Sequence, residues 1–234
     1  MKKSIYICVF AVATGLLVSS CTGNKADHSK SKQTSKELTI TDKFESIDAF
    51  STTDIEFVQG PAKFTLTAPE TVIDQIEVKV ENGTLRVGKK NFNDTKGTFK
   101  SKLVISYPYV NTFKATGTGD ISIKGIDVKN LDLVSAGTGD ISVQTGKSVQ
   151  LTASTAGTGD IDINYFSCVL AELSTNGTGD IDIKRIVADR ISGTSNGTGD
   201  ITVAGECKAA ALTSNGVGEV DDSKLEIIPE EEEE

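Results

Sequence analysis

The sequence predicts an all-β chain: a single-stranded parallel β-helix, or solenoid, of about 20 residues per coil, preceded by a strand-rich N-terminal part. Three observations carry this reading. Gly-Thr-Gly-Asp-Ile begins at 117, 137, 157, 177 and 197, and a variant, Gly-Val-Gly-Glu-Val, begins at 216. Behind each motif apolar residues alternate with polar ones, the period-two pattern of a strand with one buried face. A single unit of this length cannot bury its face alone, so successive units must stack.

Taken in order, the chain opens on a targeting signal, residues 1–20. Lys2 and Lys3 precede an uncharged, mostly apolar run from Ile5 to Val18. That run is shorter than the roughly 17–25 apolar residues a membrane-spanning helix requires. It ends in Val18-Ser19-Ser20-Cys21, which resembles a lipobox, with Cys21 as the acylated residue of an envelope lipoprotein. Each buried methylene contributes ~0.8 kcal/mol, so two or more acyl chains hold a protein on a membrane. Thr22 stands where an aspartate would signal inner-membrane retention, and this points to the outer membrane. Residues 21–37 read as a flexible tether, because Thr22 to Lys36 holds no large apolar residue.

Residues 38–115 read as short strands. Ile55 to Val58 runs into a Gln59-Gly60-Pro61 turn, followed by Phe64 to Leu66. A helical turn is expected over Pro69 to Asp74. Ile76 to Val80 and Thr84 to Val87 form a hairpin around Glu81-Asn82-Gly83. Leu103 to Ile105 is a further strand, stopped by Pro108.

Residues 116–228 are the repeats. Counting from the first glycine, positions 5 and 7 are β-branched: Ile121/Ile123, Ile141/Val143, Ile161/Ile163, Ile181/Ile183 and Ile201/Val203. Positions 10, 12, 15 and 17 continue the inward columns, for example Phe166, Cys168, Ala171 and Leu173. The fifth unit is one residue short, and a gap before position 10 returns Gly205, Cys207, Ala210 and Leu212 to those columns. Stacking places equivalent residues ~4.8 Å apart, and a right-handed coil is expected. Cys168 and Cys207 then lie two coils apart, too far for a disulfide. The last coil carries Asp222 at position 7 and so reads as a polar cap. Residues 229–234 form an acidic tail.

Composition removes several function classes. The formal charge is −9, and loss of Lys2 and Lys3 makes it more negative, which argues against nucleic acid. The one histidine, His28, falls in the tether, and there is no tryptophan. A Ser-His-Asp or Cys-His nucleophile is thereby excluded from the folded part.

A lipoprotein-like start, the segment Phe57-Val58-Gln59-Gly60, a later strand with Pro108, and repeated Gly-x-Gly-Asp-Ile units together resemble one family. It is the putative auto-transporter adhesin, head-GIN-domain family of Bacteroidetes-type secreted proteins. The resemblance covers roughly residues 40 to 220. It implies a β-solenoid, an envelope location and an adhesive role, and it supplies no catalytic residue.

The candidate site residues are the motif positions themselves. The glycine pairs Gly117/Gly119, Gly137/Gly139, Gly157/Gly159, Gly177/Gly179, Gly197/Gly199 and Gly216/Gly218 read as corners that need φ > 0 or close approach of the next coil. Asp120, Asp140, Asp160, Asp180, Asp200 and Glu219 stack one per coil, each read as capping N–H groups at its own corner. Asp162 and Asp182 beside Asp160 and Asp180 make an acidic patch, with calcium as the alternative reading. The calcium-binding nonapeptide repeat is not present, so no cofactor is expected. Tyr165 points outward, beside the inward Phe166. The favoured function is a non-enzymatic envelope lipoprotein that binds a glycan or another envelope protein, with the membrane as partner through Cys21. A polysaccharide-acting enzyme, with Lys184 and Arg185 as its nearest bases, and a purely structural scaffold are the alternatives.

Overall fold

A computed structural model describes residues 31–89 and 99–228. The expected signal peptide over residues 1–20, Cys21, His28 and residues 229–234 lie outside the described residues. In the N-terminal part the strands are β1 (Gln33–Leu38), β2 (Ser46–Ala49), β3 (Thr53–Gln59), β4 (Lys63–Pro69), β5 (Ile76–Glu81), β6 (Thr84–Lys89), β7 (Ser101–Tyr107) and β8 (Thr112–Ala115). The repeats give β9 (Ile121–Ile123), β10 (Ile126–Asp127), β11 (Asn130–Ser135), β12 (Ile141–Val143), β13 (Gly146–Lys147), β14 (Gln150–Thr155) and β15 (Ile161–Ile163). In later coils the short strands merge into β16 (Phe166–Thr175), β17 (Ile181–Ser195), β18 (Ile201–Ser214) and β19 (Val220–Ile227).

The coils stack in parallel on three faces. On the first, β3, β9, β12, β15, β17, β18 and β19 follow one another in register, Ile55 opposite Ile121 and Ile121 opposite Ile141. The second carries β10, β13 and β16, continuing into β17. The third runs β6, β2, β8, β11, β14, β16 and β17. Strands β2 and β3 thus form a coil directly beneath the first glycine motif, and it lies between β6–β7 and β8–β9 although the chain reaches β6–β7 later. Antiparallel strands close this end: β4 pairs with β7, β1 with β4, and β5 with β6. The β5–β6 turn holds Asn82 and Gly83 at positive φ, as a two-residue hairpin turn requires. The expected helical turn is a short 3-10 segment, Ile73–Gln75.

Strand β1 corrects the reading of the last tether residues. Gln33–Leu38 pairs along its length with Phe64–Pro69. An edge strand needs only backbone partners and can leave its side chains in water, so the lack of apolar residues there was no bar to pairing.

The inward columns fill the core. Ile121, Ile141, Ile161, Ile181 and Ile201 are fully buried, as are Ile123, Ile163 and Ile183. Fully burying one such side chain contributes roughly 1.5–3 kcal/mol. Large and small residues alternate along a column: a Cβ on Gly146 would fall 2.1 Å from the Phe166 ring. The gap in the fifth unit lies where the columns placed it, since the register slips between Ile183 and Ile186 and then pairs Ile186 with Gly205. Gly205 has φ +131, and a Cβ there would meet Ile186 O at 2.1 Å, so only glycine closes this shortened corner.

The last coil differs from the columns in one respect. β19 covers β18 only as far as Cys207, so Ala210 is exposed and Leu212 half-buried rather than fully inward. Asp222 lies on the surface at a bulge, where the Ser223 N–H donates to Asp221 Oδ1 at 3.0 Å.

Cys168 and Cys207 both flank Ala188, one on each side, and both are buried free thiols. Two strand spacings separate them by ~9.6 Å, beyond the roughly 4.4–6.8 Å of a disulfide. Burial, and secondarily the charge of Asp189, pushes the Cys168 thiol up to about 12. Burial also raises Cys207. Because the thiolate is the reactive species, iodoacetamide at pH 8 should leave both residues unmodified in the native protein and label both after unfolding. A linked pair of peptides in non-reduced mass spectra would contradict the register.

Candidate functional site

The motif lies at the corner between the third and first faces. Of the two reasons the sequence offered for its glycines, the structure keeps one. None of them has positive φ: Gly117, Gly119, Gly137, Gly139, Gly157, Gly159, Gly177, Gly179, Gly197, Gly199, Gly216 and Gly218 all stand outside the left-handed region. What each needs is room. A Cβ on Gly137, Gly157, Gly177, Gly197 or Gly216 would lie 2.0–2.2 Å from the carbonyl oxygen of the equivalent glycine one coil earlier. The second column repeats this, from Gly139 against Gly119 to Gly218 against Gly199. Gly159 is confined on two sides, since its Cβ would meet Gly139 O at 2.2 Å and Ser135 Oγ at 2.7 Å. At the first motif the neighbours are Ser51 for Gly117 and Thr53 for Gly119. The stack closes on its corner by backbone contact, so no turn geometry has to select glycine there.

The aspartates form a ladder between coils rather than caps within them. The Asp140 N–H donates to Asp120 Oδ1 at 3.0 Å, Asp160 to Asp140 at 2.9 Å, and Asp180 to Asp160 at 2.8 Å. Asp200 donates to Asp180 at 2.8 Å, and Glu219 to Asp200 at 2.7 Å. The ladder begins earlier than the glycine motif, because Asp120 N–H donates to Asp54 Oδ1 at 3.2 Å. Partial burial raises the Asp54 carboxyl above its usual range, opposed by that backbone bond. A carboxylate acceptor contributes about 1.5–3 kcal/mol when both partners are removed from water, less when half exposed. Asp160→Ala should therefore lower stability by about 1–2 kcal/mol. Asp160→Asn keeps the acceptor and removes like-charge repulsion, so its melting temperature should match or exceed wild type. Equal losses for both variants would show that charge, not the acceptor, matters.

Inside the same corner runs a second ladder, of hydroxyls. Ser135 donates to Gly139 O at 3.1 Å and Ser195 to Gly199 O at 2.7 Å, while Thr155 and Thr175 reach Gly179 O and Gly199 O in the next coil. All four are fully buried. Sequence reading passed over them, although a Ser or Thr stands two residues before every motif except the first. Asparagines add an outer rank: Asn196 donates to Asn176 Oδ1 at 3.1 Å and Asn215 to Asn196 Oδ1 at 3.2 Å.

The acidic patch faces outward on the first face, with Asp162 opposite Asp182. Partial burial raises the Asp162 carboxyl, reinforced by Asp182 and opposed by Lys184. Asp160 and Asp180 already commit one oxygen each to the ladder. Among the described residues, no group of three or more His, Cys, Asp or Glu is placed to hold a metal ion. Beside the patch lies a shallow depression of about 350 Å³, lined by Ser122, Lys124, Ser142, Gln144, Asp162, Asn164 and Lys184. Tyr165 is exposed at the adjoining corner.

Comparison with known proteins places this geometry. The model of the family described as "Putative auto-transporter adhesin, head GIN domain" matches residues 43–165 and 166–228. A crystal structure of a putative adhesin from Bacteroides fragilis superposes with a TM-score of 0.68 at 22% identity, covering 84% of this chain and 99% of that one. One from Parabacteroides merdae, also a putative adhesin, gives 0.54 at 20% identity, covering 86% and 98%. A putative lipid binding protein from Parabacteroides distasonis gives 0.56 at 18%, covering 86% and 98%. These likenesses show the shared fold. No curated protein matches the chain. With the family model spanning nearly all of the described stack, the chain belongs to the family described as "Putative auto-transporter adhesin, head GIN domain".

Proposed function

We propose that the chain is a non-enzymatic, lipid-anchored envelope protein whose solenoid serves as a rigid surface for binding, in an adhesion-type role. The observation that carries this is a division of labour around each coil. The residues that repeat without change serve the stack: glycines allow close approach, aspartates make the ladder, β-branched residues fill the core. Positions 6 and 8 of the first face change from coil to coil, Ser122, Ser142, Asp162, Asp182 and Lys124, Gln144, Asn164, Lys184, and these are the side chains offered to solvent. Specificity written in the outward, variable positions of a fixed frame is how solenoids bind. The family description and the adhesins among the structural neighbours support the same reading.

The anchor rests on Cys21 and the sequence before it. Wild type should partition into detergent-rich phase and with outer-membrane vesicles, and Cys21→Ala should move to the aqueous phase by more than about tenfold, as loss of the acyl chains requires. Equal partition of the two would sink the lipoprotein assignment. For binding, beads carrying the mature chain should retain glycan or protein from an envelope extract that bare beads do not. Beads that retain nothing would overturn the adhesive role.

A further inference from the structure

We propose that the depression on the first face is a binding site for a neutral, hydroxyl-rich polysaccharide chain lying parallel to the solenoid axis. This deepens the binding reading above and rests on it. The depression has a simple origin. Along position 6 the register runs Glu56, Ser122, Ser142, Asp162, Asp182. Two serines between longer acids leave a trough two coils long, and its floor is the half-buried Ser122 and Ser142. Position 8 supplies a wall of Lys124, Gln144, Asn164 and Lys184. At about 350 Å³ the trough sits at the small end of ligand pockets.

The two amides of this wall, Gln144 and Asn164, are left without hydrogen-bond partners among the described residues, while Lys124 and Lys184 feel only the nearby charges of Glu56 and Asp162. Elsewhere on the solenoid neighbouring amides pair with each other, as Asn176, Asn196 and Asn215 do. Gln144 and Asn164 are also neighbours in one column, yet among the described residues neither side chain has a hydrogen-bond partner, and neither Lys124 nor Lys184 has an ion-pair partner. An amide offers a donor and an acceptor from one planar group, which matches a pair of adjacent sugar hydroxyls. Asp162 adds an acceptor and the lysines add donors. Tyr165, 40% exposed and next to Asn164 in the chain, offers an aromatic face for the apolar side of a pyranose ring.

The charges around the trough nearly cancel, which suits a neutral chain: Lys124 and Lys184 stand against Glu56, Asp162 and Asp182, and the carboxylate ladder from Asp54 to Glu219 runs along the adjoining corner. A chain of pyranose units advances by nearly the strand spacing of ~4.8 Å. Laid along the axis, it brings one sugar to each coil.

Native affinity electrophoresis of the mature chain in gels containing mannan, xylan or mixed-linkage β-glucan tests this, with polygalacturonate as the polyanion. At least one neutral polysaccharide should retard wild type. Gln144→Ala combined with Asn164→Ala should weaken that retardation about tenfold, the effect of losing two net hydrogen bonds. Ser142→Tyr, which fills the floor, should do the same, while Lys114→Ala on the third face should not. Melting curves of all variants should coincide. Retardation by none of the three, retardation by polygalacturonate alone, or retardation unaffected by the wall and floor variants would overturn the assignment. If beads still capture envelope material in any of those cases, the adhesive role stands and only this site falls. If the beads are also bare, both fall.

Discussion

Gly157→Ala should be among the most damaging single-methyl changes in the protein. The added Cβ would sit 2.0 Å from Gly137 O and 2.8 Å from the Ala136 carbonyl carbon, both backbone atoms of a coil held on both sides. No side chain can swing away to relieve the clash, so two coils must separate locally and the hydrogen bond from Thr158 N–H to Gly137 O, 2.9 Å, is strained with them. Overpacking against fixed backbone belongs to the rare class of changes costing about 4 kcal/mol or more. For a domain of this size that is roughly 8–16 °C in melting temperature. Gly125→Ala is the matched control, because its Cβ would meet only Thr145 Oγ1, at an ordinary 3.5 Å. That variant should stay within about 0.5 kcal/mol of wild type. Thermal melts of the pair decide the point, and equal stability of the two would refute close approach as the reason for glycine.

Phe166→Ala should cost about 3–5 kcal/mol, toward the upper end of that range. Phe166 is fully buried, and its ring occupies the space that Gly146 leaves in the coil below. Truncation therefore empties two positions of the column at once, and the flanking coils, tied by backbone pairing, cannot collapse into the void. The partner change reverses the sign. Gly146→Ala alone should destabilise, since its Cβ would fall 2.1 Å from Phe166 Cε2. Placed in the Phe166→Ala background, the same change should recover stability. Denaturant unfolding of the four proteins should show a coupling of about 1–3 kcal/mol. Additive effects would mean that the two residues do not share a space.

Much of this architecture could be read from the chain because a repeat samples the same environment several times. One alternating strand is ambiguous, but a β-branched residue at the same two positions of five successive units leaves little choice of which face is inward. The same redundancy located the missing residue of the fifth unit, later seen at Gly205. It also marked Gly159 and its equivalents as obligatory glycines, without saying whether dihedral or space demanded them, since both demands leave the same letter in the chain. The buried hydroxyl column had that redundancy too, but a Ser or Thr beside a corner looks like any surface polar residue; the other features that escaped notice lacked it. The coil containing Asp54 has Ser51 and Thr53 at the corner instead of glycines, so no motif marks it. Its interleaving between β6–β7 and β8–β9 is a long-range pairing that no local pattern encodes. The aspartates were visible as a column, but which N–H they accept depends on the stagger between coils, a property of the stack and not of the unit. The depression was hidden for a related reason: Ser122 and Ser142 are unremarkable alone and become a trough only between Glu56 and Asp162.

The direction of the carboxylate ladder carries a consequence for how such a molecule grows. Each coil contributes one acceptor to its successor and takes one from its predecessor, so every interior unit is balanced with respect to its two neighbours. An extra unit copied between Asp140 and Asp160 would arrive with both halves of its own link and leave the two ends of the stack as they were. Lengthening by tandem duplication is then nearly neutral for folding, whereas a partial copy breaks the chain of links and exposes a rung. The length of the stack becomes a quantity that can change in steps of one strand spacing, independently of what either end does.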